Sequence, residues 1–222
     1  MRFQDAARDG RAVVYAGIQA DPLVARAADL LASASQAERI MARAVMNGES
    51  TEPTTWMKMF PTLFGPASEE SGRARSEAVL AVALEVAERG EAVRSQFRGA
   101  VVEELTARLL ARRVGADAVR RERRILFDGV RAEIHPYDVT VEHDGAPEAY
   151  DCKWGARGIG DDVLHQLDDA RGHAEDEGTA LRASLVVFDA LRSCEVRLAR
   201  TNAPTDRTTI IALETLDTLA LA

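Results

Sequence analysis

The sequence predicts an α/β fold preceded by an all-helical region, and three observations carry that reading. Apolar positions recur at helical spacing through about residue 90. Beyond it, β-branched runs alternate with helical segments. The 222 residues, 46% hydrophobic and 29% charged, are ordinary globular material, sufficient for one large domain or one domain with a sizeable extension. The change of character falls at 90/91, so 1–90 is expected to be a helical region for partner, DNA or dimer contacts and 91–222 the α/β domain.

In chain order, Asp21-Pro22 is a good N-cap and N1 pair. Leu23, Ala27, Leu30, Leu31, Ile40, Ala44 and Val45 then keep helical spacing until Asn47-Gly48 stops them. Residues 52–66 are rich in breakers and hold Trp56, Met57, Met59, Phe60, Leu63 and Phe64, a cluster that reads as core between helices or as a partner-binding plug. A helix is expected over 76–89, ending at Gly90. Another is expected over 91–113, stopping at Gly115. Candidate strands follow at 123–127, 134–142 and 148–154. Asp161 or Asp162 is expected to cap a helix to about 177, and strands are expected at 184–188, 195–200 and 208–213.

Composition narrows the function classes. Cys152 and Cys194 have no CxxC spacing, which indicates neither a disulfide framework nor a zinc ribbon and fits a reducing cytosol. No export signal or membrane span is evident, so a cytoplasmic protein without membrane contact is expected. A net charge of −8 argues against non-specific coating of nucleic acid. The charge is unevenly distributed, however. Residues 108–131 carry eight arginines against Asp117, Glu122 and Asp128, a net +5, whereas 132–177 carry three basic residues against 13 acids, a net −10. A basic segment followed by an acidic one suits a site that needs cations of its own, and equally a solvated charged surface.

Of the 28 basic residues only Lys58 and Lys153 are lysine. Lys153 closes Asp151-Cys152-Lys153 in a candidate strand, where residues two apart share a face, so Asp151 and Lys153 project together. If the preceding strand forms a hairpin through 143–147, Asp138 can sit beside Asp151. Two close carboxylates repel unless a cation joins them, and hard oxygen donors select Mg²⁺ or Mn²⁺. A compact ammonium beside them has a role that guanidinium fills poorly.

Here the sequence resembles the PD-(D/E)xK, or restriction-endonuclease-like, nucleases. Pro136-Tyr137-Asp138 matches the acid at the end of their second strand, with one extra residue between Pro136 and Asp138, and Asp151-Cys152-Lys153 matches (D/E)xK on the third. Arg98-Gly99 to Leu110 is similar to their helical opening, whose spacing selects Glu103; the helical wheel alone does not separate Glu103 from Glu104. Gln166 looks like their downstream Gln, which helps position the site or contacts DNA. The resemblance covers about residues 95–190. It implies a mixed central sheet flanked by helices and hydrolysis of phosphodiester bonds, with DNA as substrate in defence, restriction or repair. It further implies one or two Mg²⁺ or Mn²⁺ on Asp138, Asp151, Glu103 and the Cys152 carbonyl, with Lys153 orienting or deprotonating water or stabilising the transition state.

Arg120, Arg121, Arg123 and Arg124 are candidate phosphate contacts, and their bland reading is a solvated strand edge. Cutting both strands of a duplex usually calls for two sites, so a homodimer or larger complex is expected, with an ATPase or another defence or repair subunit as a further partner. Other chemistries fare worse. His165 and His173 are two helical turns apart, too far to chelate one ion, and residues 155–160 lack the P-loop Lys-Ser/Thr and the third glycine of a dinucleotide site. The rival of another class is a catalytically silent nuclease-fold module for nucleic-acid binding or protein assembly.

Overall fold

The computed structural model describes residues 1–6, 10–48, 52–66, 68–128, 130–131, 135–143 and 146–221. Its elements are β1 (Arg2–Asp5), α1 (Gly10–Gln19), α2 (Pro22–Ser33), α3 (Gln36–Asn47), α4 (Pro53–Met59), α5 (Pro61–Phe64), α6 (Glu70–Ala87) and α7 (Glu91–Val114). They continue with β2 (Val119–Phe127), β3 (Val130–Arg131), β4 (Tyr137–Val141), β5 (Glu148–Lys153), α8 (Asp161–Asp176), β6 (Arg182–Val187), α9 (Leu191–Leu198) and β7 (Thr209–Ile211). Two compact units result. One is Gly10–Leu105; the other joins Met1–Asp9 to Thr106–Ala222. The division therefore falls inside α7 rather than at 90/91, because the helix runs on unbroken while the strands it packs against come later in the chain. Among the described residues no helix is long and apolar enough to cross a membrane.

The second unit is α/β, built on a mixed seven-stranded sheet in the order β1-β2-β4-β5-β6-β7, with β3 paired to β2 off this path. The pairs β1/β2, β2/β4 and β4/β5 are antiparallel, whereas β5/β6 and β6/β7 are parallel. Every residue of β5 from Glu148 to Cys152 is buried, as expected of a strand covered on both faces. On one side α8 contributes Val163, Leu164, Leu167, Ala170 and Ala174 to a core with Ala149, Leu185 and Val187. On the other, Thr106 of α7 meets the Cys152 thiol at 3.5 Å and Arg113 pairs with buried Glu148, which also accepts from the Tyr150 hydroxyl. Gly115, at φ 86°, lets the chain leave α7 in a conformation side chains rarely adopt, as its place after the helix predicts.

In the helical unit Asp21 caps α2 by accepting from Leu23 N. The continuous apolar pattern is in fact two helices. Ser35 breaks it, and its capping box with Glu38 starts α3. Glu38 is fully buried and joins α3 to α6: its carboxylate accepts from Arg75 Nε at 3.0 Å and Ser76 Oγ at 2.9 Å. Burial works against its charge, but the Ser35 backbone N–H, Arg75 and the two serine hydroxyls outweigh it and hold the carboxyl below its usual value. The 52–66 cluster is divided. Trp56 and Phe64 are buried, and Met59 is 61% exposed.

Four expectations fail. Strand β1 lies where helix was expected; Arg2-Phe3-Gln4-Asp5 has no apolar alternation, and backbone pairing with β2 holds it. Strand β2 starts at Val119 because β4 pairs with its arginine-rich first half from Val119 to Arg123. Residues 195–200, expected as strand, belong largely to α9: Cys194, Val196 and Leu198 mimic a strand period, yet Cys194 is fully buried and Val196 is 40% exposed. Asp161 and Asp162 sit in the first turn of α8 rather than capping it, and Gly160 is the N-cap. Ile134 and part of the 143–147 turn lie outside the described residues.

Candidate functional site

Strand β5 is the hinge of the sheet, antiparallel to β4 and parallel to β6, and both β5 and β6 end at the same edge. That edge, at the carboxyl ends of parallel strands, is where open α/β sheets bind ligands. The β4/β5 register pairs Val139 with Tyr150 and Thr140 with Ala149, so its continuation brings Asp138 opposite Asp151. Where the ladder stops, Asp138 continues it with a side chain, as its Oδ2 accepts from the Cys152 backbone N–H at 2.6 Å. Asp151 is buried at 4% exposure, and Lys153, two residues on, donates its ammonium to the Asp151 carboxylate.

Burial would depress the Lys153 ammonium. Asp151, and after it Asp138, more than offset this and hold it above the ordinary lysine value. Both carboxylates thus act on one cation, and in this state Lys153 is a hydrogen-bond donor rather than a base. Its aliphatic stem is confined by the turn Ala156–Gly158, since a Cβ at Gly158 would approach Lys153 Cβ and Cδ to 3.1 Å.

Gln166 on α8 is 2% exposed, and both ends of its amide grip the backbone of His135: Oε1 accepts from His135 N at 3.0 Å and Nε2 donates to His135 O at 3.1 Å. Its role is therefore to fix the chain three residues before Asp138. Asp189, just beyond β6, does the same on the other flank. It is 7% exposed, and its carboxylate accepts from Ala156 N at 3.0 Å and Ala190 N at 2.8 Å. Sequence reasoning passed over Asp189, although its place after a β-branched strand was a usable signal.

Glu103 lies in the helical unit, where Tyr15 OH donates to one carboxylate oxygen and Gln19 Nε2 to the other at 2.8 Å. It is buried, whereas Glu104 is half-buried. Among the described residues no three His, Cys, Asp or Glu side chains are grouped to hold a metal.

The four candidate phosphate-binding arginines fare differently from one another. Arg123 pairs with Asp5 and with Glu142, whose Oε1 lies 2.7 Å from its Nε, so it ties β1, β2 and the end of β4 together. Arg120 is exposed, while Arg121 and Arg124 are half-buried and engaged. Burial first, then the like charges of Arg121 and Arg112, press the Arg108 guanidinium below its ordinary value.

No family model matches the chain, and no curated protein or solved structure does either.

Proposed function

We propose that the unit containing Thr106–Ala222 is a restriction-endonuclease-like nuclease domain that hydrolyses DNA phosphodiester bonds with Mg²⁺ or Mn²⁺. The observation that carries the reading is the placement of Asp138 on the Cys152 backbone N–H and of Asp151 on the Lys153 ammonium, side by side at the carboxyl edge of β5. Such a donor set fits the ion. Mg²⁺ keeps several waters and is held by one or two carboxylates together with substrate phosphates, so a third protein carboxylate is not required. Asp138 and Asp151, with the Cys152 carbonyl, would hold it. Bound there, the ion supplies a water of lowered pKa and offsets phosphate charge.

Lys153 contributes a compact ammonium that donates to a phosphate oxygen as negative charge grows there. Gln166 and Asp189 act through other groups. By pinning His135 and Ala156 they keep the two strands in register with each other and with the turn that confines Lys153. DNA in a defence, restriction or repair setting, a homodimer or larger complex with an ATPase or similar subunit, and a cytoplasmic location belong to the same proposal.

One observation favours the second reading, a silent nuclease-fold module: both oxygens of Glu103 are taken up by Tyr15 and Gln19. Plasmid cleavage with Mg²⁺ or Mn²⁺ separates the two. Asp151→Ala and Lys153→Ala are expected to lose at least about 100-fold in cleavage rate. Metal-dependent cleavage surviving both substitutions would sink the site assignment, and DNA binding without cleavage by the unaltered protein would favour the module.

A further inference from the structure

A second feature lies at the same edge of the sheet. A cavity of about 480 Å³ is lined by Ala156, Arg157, Ser193, Val196, Arg197 and Arg200. Three of its six lining residues are arginine, in a chain whose net charge is −8. Among the described residues none of the three pairs with a carboxylate. Four acids of the surrounding elements have other partners: Glu195 has Arg192 at 3.2 Å, Asp161 has Asn202 N at 3.2 Å, Asp189 has Ala156 N and Ala190 N, and Glu214 has Leu191 N at 2.9 Å. Arg197 Nε donates to Ile159 O at 2.8 Å, which anchors the stem of the side chain and leaves its terminal nitrogens without a hydrogen bond to the described residues.

The pocket is built by the helical form of α9. Residues 193, 196, 197 and 200 follow the i, i+3, i+4, i+7 pattern and lie on one face of the helix and its final turn, whereas a strand would send 197 and 200 to opposite faces. Asp189 holds both walls, since its two carboxylate oxygens fix Ala156 of the turn carrying Arg157 and Ala190 at the start of α9. That turn is the one whose Gly158 confines Lys153.

Unopposed guanidinium groups beside a serine hydroxyl select an oxyanion of high charge, and guanidinium matches phosphate with paired N–H donors. Ser193, Arg157, Arg197 and Arg200 are all exposed, so the site is open along the surface. An open site suits a phosphate that is part of a chain better than an enclosed small ligand. We propose that this pocket binds a phosphate of a DNA strand next to the one presented to Lys153, and so sets the path of the strand across the edge of the sheet. The proposal rests on the nuclease reading for its substrate, but its test does not depend on cleavage.

The test is equilibrium binding of a fluorescein-labelled DNA duplex in EDTA, where no divalent ion is available, over a series of salt concentrations. Arg157→Ala/Arg197→Ala/Arg200→Ala is compared with Arg26→Ala/Arg73→Ala/Arg207→Ala, which removes the same charge from positions outside the pocket lining. Arg157→Ala/Arg200→Ala keeps the Arg197 anchor in case the triple variant fails to fold. The pocket variants are expected to bind about tenfold more weakly, with a salt dependence shallower by about one. Equal losses in pocket and control variants, or none in either, would overturn the proposal. Inorganic pyrophosphate forms a separate arm: arginine-dependent binding of pyrophosphate while duplex binding stays unchanged would assign the pocket to a small phosphate ligand and reject the strand. Loss of cleavage alone bears only on the nuclease reading.

Discussion

The arginines of β2 and those around α9 belong to one compact unit yet differ in what faces them. Arg123 is only 16% exposed and is met by Asp5 and Glu142, so its charge is spent on holding strands together. Arg157, Arg197 and Arg200 meet no acid among the described residues and line one cavity. In the sequence the first group stands out, as part of a net +5 segment, while the second is scattered over 44 residues from 157 to 200. Local charge density therefore pointed to a segment in which Arg123 is already neutralised. A cation is available to a ligand when its surroundings lack acids, and that is decided by folding.

Substitutions separate the arginines that hold the fold from those that face the cavity. The largest effect is expected where an arginine meets a buried carboxylate. Glu148→Ala leaves Arg113, whose side chain is 15% exposed, without that partner and should destabilise the protein by about 3–5 kcal/mol, measured by denaturant unfolding. A loss below about 1 kcal/mol would show that the pair is no lock, being within the range of an exposed salt bridge. Arg157→Ala/Arg200→Ala comes next, with about tenfold weaker DNA binding and unchanged unfolding, since the Arg197 anchor is kept. Arg123→Ala should show the reverse behaviour: about 1 kcal/mol of stability lost, with duplex affinity held within about twofold. A large affinity loss there would restore β2 as the phosphate-binding face and break the comparison.

The smallest effect concerns a carboxylate rather than an arginine. Glu38 is held below its usual value of 4.5, so its contribution to stability is present above that pH and is lost as the pH falls through its folded-state value. Thermal unfolding across acidic pH should show Glu38→Gln less stable than the unaltered chain near neutrality, with the gap closing in acid. A gap independent of pH would mean that the loss comes from packing alone.

Much of the fold was legible in the sequence. Asp21-Pro22, Asn47-Gly48 and Gly115 fixed helix boundaries because capping and left-handed backbone depend on the residue itself. The strands at Asp138 and Asp151 were expected from the sequence, the first from its β-branched Val139-Thr140-Val141, and a strand period of two put Asp151 beside Lys153. Several of the failures have their reason elsewhere in the chain. Strand β1 and the start of β2 exist through pairing with distant partners. The residues from 195 carry a strand-like pattern but form α9, where the buried side is set by Cys194 against the core.

By itself, then, the sequence determined the α/β class, the placement of Asp138, Asp151 and Lys153 on neighbouring strands, and the scarcity of lysine that makes Lys153 conspicuous. These rest on local periodicity and on the chemistry of single side chains. The tertiary structure alone decided that Gln166 clamps His135, that Glu103 is bonded to Tyr15 and Gln19, that Arg123 is neutralised, and that three dispersed arginines share one cavity. Such pairings depend on which groups become neighbours when the backbone closes on itself, and no local period encodes that.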